Sequence, residues 1–280
     1  MRSRPSDYKH SGWDRGHMAP AADFAPNRSS ILDQNMRQRI AEQLLKEQMQ
    51  TYNLCNISPQ DASLNRGLWS KLEAWVRTRI VELQDEEEAD NSLTGRRQVH
   101  VLTGPLWMPT HNSNNGPPSA SLEYRYLGIG TPPSLIAVPT HFFKVVVVVA
   151  KDEIPGNPGR IEKFACFVMA NRPTQSDTSS EMNDEKFILQ DFLVPWSTLE
   201  TVSGLEFFSH LVDDDFCKRA DELTLGQINR RRRQSQSPRT STLQLLEAGT
   251  LKKGGRRQDD NKGTELAALE HLCKGGKCRL

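Results

Sequence analysis

A mixed α+β domain with a mostly antiparallel central sheet and flanking helices is the fold the sequence predicts. Three observations carry that expectation. QVHVLTGPLW (98–107), IAVPTHFFKVVVVVA (136–150) and KFACFVMAN (163–171) are β-branched or aromatic runs punctuated by Gly and Pro, the pattern of strands. Two other segments place apolar residues at helical spacing instead. These helices are too few and too unevenly placed for a regular strand–helix alternation, so a parallel α/β sheet is not expected.

In chain order, residues 1–28 are rich in Pro, Gly, Asp and Ser and read as loop with short strands. Residues 31–50 read as a helix with Ile40, Leu44 and Leu45 near one face. TYNLCNI is a short β-prone run ending at Ser58-Pro59. LNRGLWSKLEAWVRTRIVEL (64–83) is the strongest helix, with Leu68, Leu72, Trp75, Val76, Ile80 and Leu83 in one stripe and Asn65 at the N-cap position. QDEEEADN (84–91) reads as an acidic loop before the first long strand. After the third strand, residues 192–211 read as an extended lead-in and a short helix. From about Asp221 the chain turns polar and basic, as in NRRRRQSQSPRTSTLQ, and reads as a low-complexity linker or insertion over 221–265. Residues 266–280 form a Cys-containing terminal segment of the preceding domain, which spans 1–220.

The bulk properties leave several classes out. A hydrophobic share of 36% permits a real core, and a net charge of +1 neither favours nor opposes a polyanionic partner. The five cysteines form no CxxC pair and no zinc-like spacing with His, so free thiols are the default reading. The longest apolar run contains Pro, His and Lys and is too short for a membrane helix. No targeting segment is visible at the start of this chain. No GxSxG string points to a serine hydrolase.

Chemistry concentrates in two strings. In SGWDRGHMAPAADF, His17 lies among small residues; an imidazole takes a proton from water near neutral pH, which suits a general base. Alone, such a histidine is more often an ordinary surface or core residue. In NISPQDASLNRGLWSKLEAWVRTR, Asn56, Gln60, Asn65, Glu73 and Arg77 gather before and along one helix. The Asn65 amide oxygen can serve a hard cation such as magnesium, which keeps several waters when protein ligands are few; the plain alternative is a helix cap. Glu73 lies two turns on and leans toward the N-terminus, where it can orient water at a cation; the plain alternative for Glu73 and Arg77 is a surface i,i+4 ion pair.

Taken together, DRGHMAPAAD, TYNLCNISPQ, LNRGLWSKLE, LTGPLWMP and AVPTHFFKVV resemble, in order, the DRGH-type DNA/RNA non-specific endonucleases, the ββα-metal nucleases close to mitochondrial endonuclease G of fungal type. The likeness runs from about Ser6 to His210, and HLCKGGKC resembles a terminal segment of the fungal members. The resemblance implies a sugar-nonspecific nuclease that hydrolyses phosphodiester bonds of double- and single-stranded DNA and of RNA. It implies His17 as general base, Asn65 as the direct magnesium ligand, with manganese as a substitute, and Glu73 supporting metal-bound water. Arg77 and Arg15 are then phosphate-holding residues, while Asp14, Asn56 and Gln60 support the site. A homodimer and a mitochondrial location, with nuclear entry on release, are implied in the same way.

Against the family pattern, this chain starts almost at the DRGH motif and carries extra residues near 31–50 and before Cys273. An N-terminally truncated nuclease domain with a helical insertion is therefore expected. The alternative reading is a catalytically impaired relative that acts as a nucleic-acid-binding or interaction protein. Retention of His17, Asn65 and Glu73 favours the enzyme.

Overall fold

The computed structural model describes residues 4–24, 34–89, 97–111, 122–124, 126–151, 159–172, 188–234, 269–274 and 278. Strand β1 (Asp14–His17) and strand β2 (Ile57–Gln60) pair antiparallel, with Asp14 opposite Gln60 and His17 opposite Ile57. Gly16 is required there, because a Cβ at that position would run into the buried Gln60 side chain. Helix α1 (Gln34–Thr51) lies between the two strands in sequence. Its expected apolar stripe is not a core face: Ile40 and Leu45 are exposed. The strand expected over TYNLCNI is displaced as well, since Leu54–Asn56 form a 3-10 turn and pairing begins only at Ile57.

The helix after β2 starts earlier than the sequence suggests. Asp61, not Asn65, is its N-cap, with a carboxylate that accepts from the Ser63 and Leu64 amides. This cap contributes roughly 0.5–2 kcal/mol. A short helix α2 (Ala62–Leu64) passes through a π-type turn (Asn65–Trp69) into helix α3 (Ser70–Ala89), with the irregularity centred on Gly67. Such bulges reorient side chains within a helix. The C-terminal end of α3 takes in Gln84–Ala89, so most of the expected acidic loop is helical.

Strand β3 (Arg97–Leu106) is followed by short strands β4 (Thr110–His111) and β5 (Leu122–Glu123), then by the β6 (Leu127–Thr131) and β7 (Ser134–Val138) ribbon. Strands β8 (His141–Ala150), β9 (Arg160–Ala170) and β10 (Glu270–His271) join β3 in one sheet ordered β10-β9-β8-β3. Its pairs are antiparallel except β9 with β10. The run 136–150 is thus two strands in two sheets, broken at Pro139-Thr140, because Pro has no N–H for a ladder.

Alternate residues of β8 feed two cores, which explains why its sequence is apolar on both faces apart from Lys144 and the terminal His141. Phe142, Val146 and Val148 pack with Leu72, Trp75 and Val76 of α3. Val145, Val147 and Val149 face helices α4 (Trp196–Ser203) and α5 (Asp214–Gln234) through Trp196, Leu199, Phe216 and Ala220. Helix α5 corrects the expected linker boundary: Phe216, Ala220, Thr224 and Ile228 are buried at four-residue spacing, so residues 221–234 belong to the folded body. Residues 235–265 of that linker lie outside the described residues. Cys273 and Cys278 are joined in a buried disulfide, contrary to the free-thiol reading, while Cys55, Cys166 and Cys217 are free.

Candidate active site

The DRGH string is stitched to the long helix at two points. Asp14 accepts from Asn65 Nδ2 at 3.0 Å and from Arg66 at 2.8 and 2.7 Å. Further along, Asp23 accepts from Arg77 Nη1 at 2.8 Å. Residues 14–23 therefore run beside about three turns, ~18 Å, of the helix. His17 lies in that stretch. Burial pushes the Asp14 carboxyl up, but the Arg66 and Asn65 hydrogen bonds and the Arg66 charge outweigh it and hold the group below the usual carboxylate range. Because Asp14 can only accept, Asn65 must turn its NH2 toward it, which leaves Oδ1 as the acceptor end of the amide.

His17 is half-buried, and its Nε2 is buried without a hydrogen-bond partner among the described residues. Burial first, and the Arg15 guanidinium second, hold the imidazole below the ordinary histidine range. It is consequently neutral at neutral pH and able to accept a proton. The Tyr52 ring stands edge-on to it, with centroids 5.2 Å apart. The loop after His17 is clamped by Asn56, whose side chain accepts from the Ala19 amide at 2.8 Å and donates to the Ala19 and Thr51 carbonyls. The Asn56 carbonyl also accepts from the Met18 amide at 2.9 Å.

Glu73 on α3 and Lys144 on β8 are ionisable groups on the α3 side of the sheet. Burial raises the Glu73 carboxyl to about 7 despite the opposing pull of Lys144, Arg77 and the Trp69 indole, with Asp23 adding to the rise. Lys144, from the middle of β8, is 1% exposed and donates to Thr103 Oγ1 at 2.7 Å. Its ammonium sits 4.9 Å from the centre of the Trp69 ring. Burial lowers this lysine to about 8.

Of the residues singled out in sequence, Asn65 is bonded to Asp14 on the His17 strand and Arg77 to Asp23 beyond it, and Glu73 lies between these two points on the helix. Arg77 is engaged by Asp23 rather than by Glu73, so the surface i,i+4 pair is not what forms. Arg15 is exposed, opposite Pro59 in the ribbon. Gln60 is fully buried behind Gly16, and neither polar atom of its amide has a hydrogen-bond partner among the described residues. Lys144, Asp23 and Arg66 were not singled out. The signal for Lys144 was available: one ionisable residue inside an apolar strand is costly unless it has partners. Asp23 and Arg66 gave no comparable signal, since their partners are over 50 residues away in sequence.

The imidazole of His17 is thus carried on a two-stranded ribbon, and the Asn65 carboxamide, the half-buried Glu73 carboxyl and Arg77 on the helical segment that follows it. The comparison with known proteins gives the family. The chain belongs to the DNA/RNA non-specific endonuclease family, whose model matches residues 1–214. It is 32% identical over 213 residues to "Nuclease 1, mitochondrial" of Schizosaccharomyces pombe, covering 75% of this chain and 51% of that protein. It is 34% identical over 209 residues to "Mitochondrial nuclease" of Saccharomyces cerevisiae, covering 74% and 49%. Human "Endonuclease G, mitochondrial" is 30% identical over 211 residues, with 75% and 53% covered. The chain thus spans about half the length of the curated relatives it matches.

Proposed function

We propose that the protein is a metal-dependent, sugar-nonspecific nuclease that hydrolyses phosphodiester bonds in DNA, double- or single-stranded, and in RNA. The observation that carries this reading is the placement of a neutral His17, whose Nε2 has no partner among the described residues, on a strand bonded through Asp14 to Asn65. In this reading His17 takes a proton from the attacking water as the new oxygen–phosphorus bond forms and the ester oxygen–phosphorus bond breaks; the departing oxygen is protonated by solvent. Arg15 and Arg77 supply charge-assisted hydrogen bonds to the phosphate, which for Arg77 requires it to share or leave Asp23. None of these groups reads a base edge, so cleavage is indifferent to sequence and to the sugar.

The donor set fits a hard divalent cation, and magnesium is the proposed one, with manganese as substitute. Asn65 Oδ1 would hold it, and Glu73 would orient water around it. Among the described residues there is no group of three or more His, Cys, Asp or Glu arranged for a metal. A magnesium ion that keeps most of its waters needs no such group. When bound, it supplies neutralisation of charge on the phosphate and the leaving oxygen. A mitochondrial location is proposed from the names of the relatives, and a homodimer from the family resemblance. The test is incubation of purified protein with plasmid DNA and with RNA: both are degraded with magnesium and spared with EDTA. Intact substrates in magnesium, or undiminished cutting in EDTA, would overturn the reading.

A further inference from the structure

Tyr52 takes no part in the proton transfer, yet its ring stands against the His17 imidazole, with centroids 5.2 Å apart and planes at 88°. A single exposed aromatic residue is common on protein surfaces and by itself means little. The position of this one is fixed at several points. Tyr52 follows the buried Thr51 at the end of α1, and its amide donates to the Met49 carbonyl at 3.3 Å. Asn56 donates to the Thr51 carbonyl at 2.8 Å and accepts from the Ala19 amide with the same side chain, so the turn carrying Tyr52 is tied to the loop after His17. Gln48, on the last turn of α1, donates to the Ala21 carbonyl of that loop at 3.2 Å. Tyr52 is nevertheless 58% exposed, so the contact with His17 leaves much of it open. Arg15 and His17 alternate along β1 and project from the same face of the ribbon, and Arg15 is exposed as well. Single-strand binding sites combine such groups: cations for the backbone and aromatic rings on which bases stack.

We propose that Tyr52 is a substrate-contacting residue: its exposed ring, held beside His17, stacks an unpaired nucleobase of the nucleotide next to the scissile phosphate. This role rests on the nuclease reading and deepens it by naming the form of nucleic acid the site takes best. In a duplex each base is already paired and stacked and must leave the helix to reach the ring, whereas in a single strand it is free to do so. Single-stranded DNA and RNA, and melted stretches of duplex, are therefore the favoured substrates. Every base has a π face, so stacking on Tyr52 adds no sequence preference.

The experiment compares parent, Tyr52→Ala and Tyr52→Phe on three substrates: a single-stranded oligodeoxynucleotide, the same strand built from tetrahydrofuran abasic units, and the duplex. Binding is followed by fluorescence anisotropy in EDTA, and kcat and KM are measured in magnesium. Stacking of one base on an aromatic ring accounts for about 10-fold or more in affinity. Tyr52→Ala is expected to weaken binding of the base-bearing strand and to raise its KM by that factor. The abasic strand and the duplex change less, and Tyr52→Phe, which keeps the ring, recovers most of the loss. The parent should also bind the abasic strand about 10-fold more weakly than the base-bearing one, a comparison that needs no variant. Equal losses on base-bearing and abasic strands, or a fall in kcat with KM unchanged, would mean that the ring only positions His17 and would overturn the proposal. Parental affinity in a Tyr52→Ala protein shown to be folded by circular dichroism, or a parent that does not bind the base-bearing strand, would overturn it equally. If the parent cuts neither DNA nor RNA in magnesium, the nuclease reading fails, and the anisotropy series still decides whether Tyr52 stacks a base.

Discussion

One strand, β8, serves two neighbourhoods that could hardly differ more. Toward α4 and α5 its odd-numbered residues meet a sealed apolar layer in which Phe164, Trp196, Phe207 and Phe216 contact one another at ring separations of 5.2–6.3 Å. Toward α3 its even-numbered residues meet an apolar layer as well, but Lys144 interrupts it, Glu73 borders it, and His17 and Gln60 nearby leave polar atoms without partners among the described residues. The difference teaches where stability and chemistry reside. The first face is apolar apart from the Trp196 indole N–H, which also has no partner among the described residues, whereas the second carries desolvated ionisable groups.

Substitutions can separate the faces. The largest expected effect is on the apolar side: Trp196→Ala should lower unfolding free energy by about 3–5 kcal/mol, the range for a buried aromatic. Denaturant titration measures it, and at low temperature the remaining folded protein should still cut at its usual rate. A folded Trp196→Ala protein with no activity would show that the two faces are not independent.

His17→Ala addresses the other side. Turnover should fall by at least ~10², as for loss of a general base, with DNA binding and unfolding midpoint little changed. Parental turnover would move the base elsewhere.

Next come the two residues assigned to the cation. Glu73→Gln should cost roughly 10–100-fold in rate and recover in part as magnesium is raised. Asn65→Ala should bind magnesium less and recover less, as followed by isothermal titration with circular dichroism as the folding control. If Glu73→Gln abolishes magnesium binding and Asn65→Ala does not, their assignments are exchanged.

A smaller effect concerns pH. The folded-state His17 lies below the ordinary histidine value, so the neutral base persists on mild acidification and turnover falls only as pH drops through that lowered value. Arg15→Gln removes the second cause of the lowering and leaves burial, the first. The acid limb of the pH–rate profile should therefore move upward while staying below the ordinary value. No movement would mean that Arg15 does not act on His17. The smallest effect is expected from removing residues 235–262, which should leave turnover and unfolding unchanged. Extending the deletion to Asn229 should destabilise the protein, because it removes Arg231 and its ion pair with Asp191.

Much of this was legible in the residues themselves. Gly and Pro around β-branched runs located β3, β8 and β9 because those signals are local backbone preferences. The ordered DRGH, NISPQ and LNRGLWSKLE strings marked the candidate site because each is contiguous in sequence. Composition misjudged α5, whose buried stripe includes Ala220 and Thr224, small residues that raise no hydrophobic signal, and whose exposed arginines look like linker. Helix-cap preference chose Asn65 over Asp61 because both types cap well, and only the hydrogen bonds to Ser63 and Leu64 decide between them.

What the sequence determined by itself, then, was which side chains are available and the segments that hold them: an imidazole on one strand, an amide and a carboxyl on one helix. What only the tertiary structure decided was how those groups are set. Asp14 turns the Asn65 amide, Asp23 occupies Arg77, and β8 places Lys144 against the Trp69 ring. The physical reason is that charge and hydrogen-bond direction depend on neighbours distant along the chain, and a one-dimensional pattern carries no record of which of them will meet.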